Sequence, residues 1–294
     1  MNMKTKISRR TALKSVGSTI ATFGILSSAN KQVNAAEETK TKLKGNIHHS
    51  VSRWCYGKIS LDDLCKACVD IGIESIELLG PNEWPTVKKY GLVCAMCNGP
   101  DRIDYGFNRV EHHDDLVAKF EKAIPQVAEF GYPNIICFSG NRRGMSDEEG
   151  LENCVKGLKR LMPTAEKYKV NVVLELLNSK VDHKDYMADH SNWGAELCKR
   201  VGSERLKLLY DIYHMQIMEG DLIRTIRQNY QYFGHYHTGG NPGRNEIDET
   251  QEINYSAVMR AIVKTGYKGF VGQEFVPKRD PLTSLRQAIM ICDV

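Results

Sequence analysis

The chain has 294 residues, 41% of them apolar and 26% charged, which is enough for a sizeable buried core. Its formal net charge of +4 is concentrated at one end: residues 1–35 hold six basic groups and no acid, so the remainder carries 34 basic against 36 acidic groups, a net of −2. That balance excludes a basic footprint for nucleic acid, and no stretch after residue 35 is apolar for long enough to cross a bilayer.

Ser8-Arg-Arg-Thr-Ala-Leu-Lys14 resembles the twin-arginine export motif, with Ala12 where a larger apolar residue is usual. Residues 15–29 are uncharged and mildly apolar, and Val33-Asn-Ala35 ends in a small-residue cleavage pattern. The apolar run is too short and too polar for a membrane anchor. The expectation is an export signal over 1–35, read by the twin-arginine machinery, and a periplasmic or exported protein. Residues 36–46 read as a charged, flexible lead-in. The segment 47–294 suits one α/β barrel.

The elements then follow in order. Ile47–Cys55 is the first strand candidate. Ser60-Leu-Asp-Asp opens a helix, with a serine cap and acids in its first turn, that stops at Gly72. Strands follow at Ile73–Leu79 and Leu92–Cys97, with a short helix from Pro85 between them. A helix over 109–130 contains Pro125 and is expected to kink or break there. Asn134–Phe138 is a strand, and Ser139–Gly144 is a loop with two adjacent arginines, Arg142 and Arg143, solvated or reaching an anionic substrate. Asp147–Tyr168 is a helix with a second internal proline, Pro163. Strands at Val170–Leu176, up to Asp211, up to His237 and at Gly269–Glu274 alternate with helices at 192–201, 219–230, 254–265 and from Pro281. In the polar loop 177–190, His183 or His190 is placed to close over a site. Trp54, Trp84 and Trp193 read as packing residues, and His112-His113 as surface.

Eight strands alternating with eight helices give an α/β fold, a single-domain (β/α)8 TIM barrel. An open doubly wound sheet is the competitor, but no Gly-x-Gly-x-x-Gly follows a strand. Polar residues also close every strand: His49 or Ser50, Glu77, Asn98, Ser139, Glu175, Asp211, His237 and Glu274. A ring of such residues at one mouth is what a closed barrel produces. The nine cysteines all follow residue 35, and an odd number cannot form a complete disulfide set. Cys65-x-x-Cys68 lies on an amphipathic helix. Cys94-x-x-Cys97 lies in a strand, where positions three apart face opposite sides, so both pairs read as buried thiols before zinc half-sites.

Glu175, Asp211, His237 and Glu274 end four strands. Three carboxylates converging without a cation repel one another, and a divalent metal removes that repulsion. Oxygen-rich donors plus one imidazole suit Mn, Mg, Co or Fe better than a thiolate-type zinc site. Glu77 and Asn98 line the same pocket or bond to loops.

Leu174-Glu-Leu-Leu-Asn178, Tyr210-Asp-Ile-Tyr-His214, His235-Tyr-His-Thr-Gly239, Gly243-Arg-Asn-Glu-Ile-Asp248, Glu252-Ile-Asn-Tyr255 and Gln273-Glu-Phe-Val-Pro277 resemble the hydroxypyruvate isomerase family of xylose-isomerase-like barrels. The resemblance implies Glu175, Asp211, His237 and Glu274 as ligands of a divalent metal (Mn, Mg or Co foremost), His214 facing a substrate oxygen, and Arg244 binding a carboxylate or terminal oxygen. It further implies Glu175 and Glu274 as acid–base groups on opposite faces of a small-molecule substrate. Bacterial hydroxypyruvate isomerases often carry Gln at the position of His237, which moves this chain toward the metal-dependent sugar enzymes.

The leading expectation is an isomerase of a small hydroxy-keto compound, hydroxypyruvate to tartronate semialdehyde by resemblance, acting through an ene-diolate. A ketose 3-epimerase or a sugar-acid dehydratase of exported carbohydrate catabolism is the alternative. A non-catalytic periplasmic sugar-binding protein, or a homo-oligomeric form of any of these, stays open. An endonuclease fits poorly: Leu79-Gly-Pro and Asn98-Gly-Pro supply no further histidine ligands, and Asp248-Glu-Thr lacks the imidazole of an Asp-x-His.

Overall fold

The computed structural model describes residues 42–294; the expected export signal over 1–35 lies outside them. Seven parallel strands form one curled sheet: β1 His48–Ser52, β2 Ser75–Glu77, β3 Asn134–Cys137, β4 Asn171–Leu176, β5 Leu206–Asp211, β6 Phe233–Thr238 and β7 Phe270–Gln273. Their order is β2-β1-β7-β6-β5-β4-β3. The expected third strand is not a regular strand. Residues 93–97 occupy the gap between β2 and β3 and join both edges through isolated parallel bridges. The Ile76 N–H donates to Val93 O (3.1 Å), the Cys97 N–H to Asn134 O (3.0 Å), and the Ile136 N–H to Cys97 O (3.0 Å). The barrel is therefore closed by seven strands and one irregular segment. Closure satisfies the edges that an open sheet would leave bare.

Helices cover the outside. Ser60 caps α1 (Leu61–Ile71), its hydroxyl accepting from the Asp63 N–H at 3.1 Å, and Gly72 ends it in the left-handed conformation with φ of 93°. Then come α2 (Trp84–Lys89), α3 (His113–Glu129), α4 (Asp147–Tyr168) and α5 (Ser191–Val201). Pro125 and Pro163 lie inside α3 and α4 without ending either helix. One helix between β5 and β6 is replaced by two, α6 (Ile212–Met218) and α7 (Leu222–Asn229). Asp211 causes this, because its side chain accepts from the His214 N–H at 3.1 Å and starts α6 directly off the strand. α8 (Tyr255–Lys264) and α9 (Pro281–Cys292) complete the shell. His113, read as surface, is buried and bonded to Phe107 O. Eight of the nine free cysteines are buried. Among the described residues no helix is long and apolar enough to cross a membrane.

Within the expected lead-in, the described part is tied down. The Lys44 N–H donates to the Asp293 carboxylate (2.9 Å) and the Asn46 amide to Val294 O (2.8 Å), joining the start of the barrel to its end.

Strand parity fixes what faces inward. Met96, Ile136, Val173 and Leu209 form a separate apolar cluster inside the barrel, and two residues further along their strands stand Asn98, Phe138, Glu175 and Asp211. The inner layer thus places a packed floor directly beneath the mouth.

The loops after β3 and β4 are clamped together by Arg142, which is neither a free surface arginine nor turned to a substrate. It donates to Asp189 (2.9 and 3.1 Å), to Asp147 (2.7 Å) and to the carbonyls of Tyr186 and Met187. Burial pushes the Asp189 carboxyl up, but bonds from His190, Arg142 and Ser179 overcome this and hold it at about 2. A depressed acid stabilises the fold above its unfolded pKa, and that stabilisation disappears as pH falls through the folded value. Asp189→Asn is expected to lose about 2 kcal/mol of stability at neutral pH. Denaturant melts should show the gap to the parent protein closing between about pH 4 and pH 2. A gap unchanged over that range would show that the carboxylate charge is not what holds the loops.

Candidate functional site

Glu175 is the last residue but one of β4, Asp211 ends β5, and His237 is the last but one of β6. Glu274 follows β7 and extends its ladder by one bond, its N–H donating to Thr238 O at 3.1 Å. Registers pair Glu175 with Leu209, two before Asp211, Asp211 with His237, and His237 with Gly272, two before Glu274; these even offsets keep all four side chains on the inward face. Each offers a donor atom, all within 4.8 Å of one another, and all four residues are buried. His237 Nδ1 lies 2.7 Å from Glu274 Oε2 and 3.5 Å from Glu175 Oε1, without a hydrogen-bonding partner.

Electrostatics follow from this crowding. Burial pushes Glu274 up, but the charges of His237 and Arg244 hold it well below the usual carboxylate range. Burial raises Asp211 to about 7 against the opposing charge of Arg244. Glu175 is raised by burial and by the charge of Glu274.

Arg244 sits inside this cluster. Its Nη2 donates to Asp211 Oδ2 (3.0 Å) and Glu274 Oε2 (2.5 Å), and its guanidinium lies over Trp54 and Tyr213 at 5.4 and 5.3 Å. The resemblance assigned it to a substrate oxygen; it lines the cavity and is also the counter-charge of the buried carboxylates. Its loop is rigid. The Arg244 N–H donates to Gly240 O and the Val276 N–H to Arg244 O, both at 2.7 Å, while buried Glu246 accepts from the N–H groups of Lys278 and Arg279 at 2.9 and 3.0 Å.

His214 is fully buried beside the cluster, its Nε2 3.6 Å from Asp211 Oδ2. Asn178 sets the tautomer. The amide oxygen of Asn178 accepts from the N–H groups of Val181 and Asp182, so its nitrogen donates to His214 Nδ1 at 2.6 Å and the ring proton sits on Nε2. Burial, then Arg244, lowers the His214 pKa well below that of an ordinary imidazole.

Glu77 does not line the pocket. It is wholly buried below it, at 2.6 Å from His237 Nε2 and 3.0 Å from His235 Nε2. Burial pushes its carboxyl up, and the two imidazoles overcome this and bring it to about 2. Gly272 makes the arrangement fit: a Cβ there would meet Glu77 Oε1 at 2.1 Å and His237 Cδ2 at 3.0 Å. Glu77, His235 and His237 form a second close group of potential ligands. Hydrogen bonds among all three make it a carboxylate–histidine support for the upper cluster. Asn98 does reach the pocket, with its amide donating to Leu78 O at 3.0 Å.

A cavity of about 420 Å³ opens over the cluster. On one side of the barrel its lining is Glu175, Glu274, Arg244 and His183; on the other it is Leu78, Ile103, Ile136 and Phe138 with the polar Asn98 and Asp101. The first side comes from β4 to β7 and their loops, the second from β2, the irregular segment and β3. Trp54, expected as packing, is 49% exposed on this cavity and donates from Nε1 to Glu274 Oε1 at 2.6 Å. Its position just after β1 was the available signal.

The donor set fits a divalent cation: three carboxylates and an unpartnered imidazole nitrogen, with a guanidinium supplying positive charge among them. A family model for the xylose isomerase-like TIM barrel matches residues 65–291. The chain belongs to this family. Its curated relatives include the putative hydroxypyruvate isomerase of Homo sapiens (25% identical, over 79% of this chain and 90% of that one). The hydroxypyruvate isomerase of Escherichia coli strain K12 is 33% identical over 60% of this chain and 67% of its own. The 2-oxo-tetronate isomerase of Haemophilus influenzae is 24% identical over 78% and 93%. With such relatives, this xylose isomerase-like barrel is an enzyme of an isomerase family. Among solved structures, an AP endonuclease, family 2, from Brucella melitensis superposes with a TM-score of 0.72 at 22% identity, over 81% of this chain and 97% of that one. At that identity the superposition supports the barrel fold alone.

Proposed function

We propose that this protein interconverts small hydroxy-keto acids by proton transfer next to a carbonyl, with Glu175 and Glu274 as the acid–base pair. Glu175, Asp211, His237 and Glu274 hold a divalent cation, of the Mn, Mg or Co type. The observation that carries the reading is that these four donors meet within 4.8 Å and that both glutamates also line the cavity. When bound, the cation stabilises negative charge on the substrate's carbonyl oxygen. One glutamate removes the proton from the carbon next to the carbonyl, and a proton returned to the neighbouring carbon completes an isomerisation. Trp54, donating to Glu274, orients that carboxylate and covers it. The apolar wall keeps water from the carbon that loses its proton.

Hydroxypyruvate is the substrate named for several relatives. The cavity of about 420 Å³ also has room for a longer chain. A four-carbon or larger sugar acid, or a ketose undergoing epimerisation, is the second reading.

Both are tested by incubating Mn-loaded protein in D₂O with hydroxypyruvate, four-carbon keto acids and ketoses. Deuterium at the carbon beside the carbonyl of one compound is the expected result, with product analysis naming isomerase or epimerase. No label from any compound, with metal shown to be bound, would favour a binding protein.

A further inference from the structure

The loop after β4 holds a histidine that the four-ligand cluster does not account for. His183 lines the same cavity as Glu175 and Glu274, half-buried, and neither ring nitrogen has a hydrogen-bond partner among the described residues. The backbone of the residue is nevertheless held in place. The His183 N–H donates to Asn178 O (3.1 Å), and its carbonyl accepts from the Tyr186 N–H (3.0 Å). Tyr186 in turn ties the loop to the end of β4, its hydroxyl donating to Glu175 O at 2.8 Å. The His183 ring packs on that of His214, with centroids 5.2 Å apart.

Isomerisation along a carbon chain moves two protons. One travels between neighbouring carbons, and the other between the oxygens on those carbons. The second movement is served by a group that accepts at one moment and donates at the next, as a neutral imidazole does. His237 is bonded at Nε2 to Glu77, turns Nδ1 into the carboxylate cluster, and is not on the cavity wall. His214 is held at Nδ1 by Asn178 and is not on the cavity wall. Among the described residues, His183 is the histidine that combines a free ring with access to this cavity.

We propose that His183 carries the proton between the two substrate oxygens, while Glu175 and Glu274 serve the carbons. The hydroxyl oxygen gives its proton to the ring as that oxygen becomes the new carbonyl. The ring returns a proton to the neighbouring oxygen, which becomes the new hydroxyl. The imidazole ends neutral, one C=O replaces the other, and no oxidant or reductant is required. Burial, and then the nearby Arg244, lowers the His183 pKa, which keeps the ring neutral near pH 7. The inference rests on the isomerase reading above.

The test compares parent, His183→Gln and His183→Ala proteins, Mn-loaded, in D₂O with the compound the parent converts. Both variants should still exchange the carbon-bound proton, within about fivefold of the parent, while net product formation falls about 10²–10⁴-fold. Added imidazole should restore part of the product rate in His183→Ala. Exchange and product falling together, or neither falling, overturns the proposal. So does a parent product that is an epimer, because epimerisation at carbon needs no transfer between oxygens. A parent protein that exchanges no label with any compound fails at the isomerase reading itself, before His183 is reached.

Discussion

Glu274→Gln and Glu175→Gln, each alone, are expected to lower turnover by at least about 10³-fold while leaving the barrel folded. Glutamine keeps the shape of the side chain, and at position 274 its amide oxygen still accepts from Trp54. What it loses is the ability to take up and release a proton, and a negative charge toward the cation. The two substitutions should differ in their side effects. In the metal-free protein Glu274 neutralises both His237 and Arg244, so its loss there leaves two buried cations facing only Glu175, Glu77 and Asp211. Glu175 makes no such contact with Arg244, and Glu175→Gln should retain more stability. The decisive measurement is deuterium exchange into the substrate with metal content assayed on the same samples. A variant that binds metal and exchanges within tenfold of the parent would remove that glutamate from the acid–base role.

Glu77→Leu is expected to have the second largest effect, though Glu77 is not on the wall of the cavity over the cluster. Its carboxylate is the shared partner of His235 and His237, and removing one member of a buried ionic group costs about 3–5 kcal/mol. It also fixes which nitrogen of His237 faces the cluster: with Nε2 donating to Glu77, Nδ1 is left to serve as a ligand. Loss of that support should weaken metal binding about 10–100-fold. Titration calorimetry with Mn²⁺ reads the affinity, and chemical denaturation of the metal-free protein reads the stability. Gly272→Ala should move both in the same direction, because its Cβ needs the space that Glu77 fills. Unchanged Mn²⁺ affinity in a folded Glu77→Leu protein would show that His237 is oriented by its own strand.

The four residues of the upper cluster were legible as a group because each lies at or next to the end of an apolar strand and period-two alternation sends them all inward. The barrel itself was legible for the same reason. Glu77 was placed at the right strand end but at the wrong depth. Its role depends on a contact across the barrel to residues 235 and 237, and on the missing side chain at Gly272, neither of which a local pattern carries. Trp54 looked like packing because its partner, Glu274, is 220 residues away. Residues 92–97 have strand composition, yet they bridge two short edges and never form a regular ladder. α6 was missed because Asp211 acts both as a strand end and as a helix cap. Arg244 was found by resemblance, but its place among the carboxylates depends on how the 238–248 loop folds back against the chain after β7.

The cavity's two walls come from different parts of the chain, and this has an evolutionary consequence. Every group that would move a proton or hold a cation descends from β4 to β7 and their loops, while the opposing wall is built from β2, β3 and the irregular stretch between them. Changes in the second wall alter the length and polarity of what is admitted without disturbing the reactive groups. A lineage of such barrels is free to exchange one short acid or sugar for another by altering that wall alone, with the chemistry inherited intact.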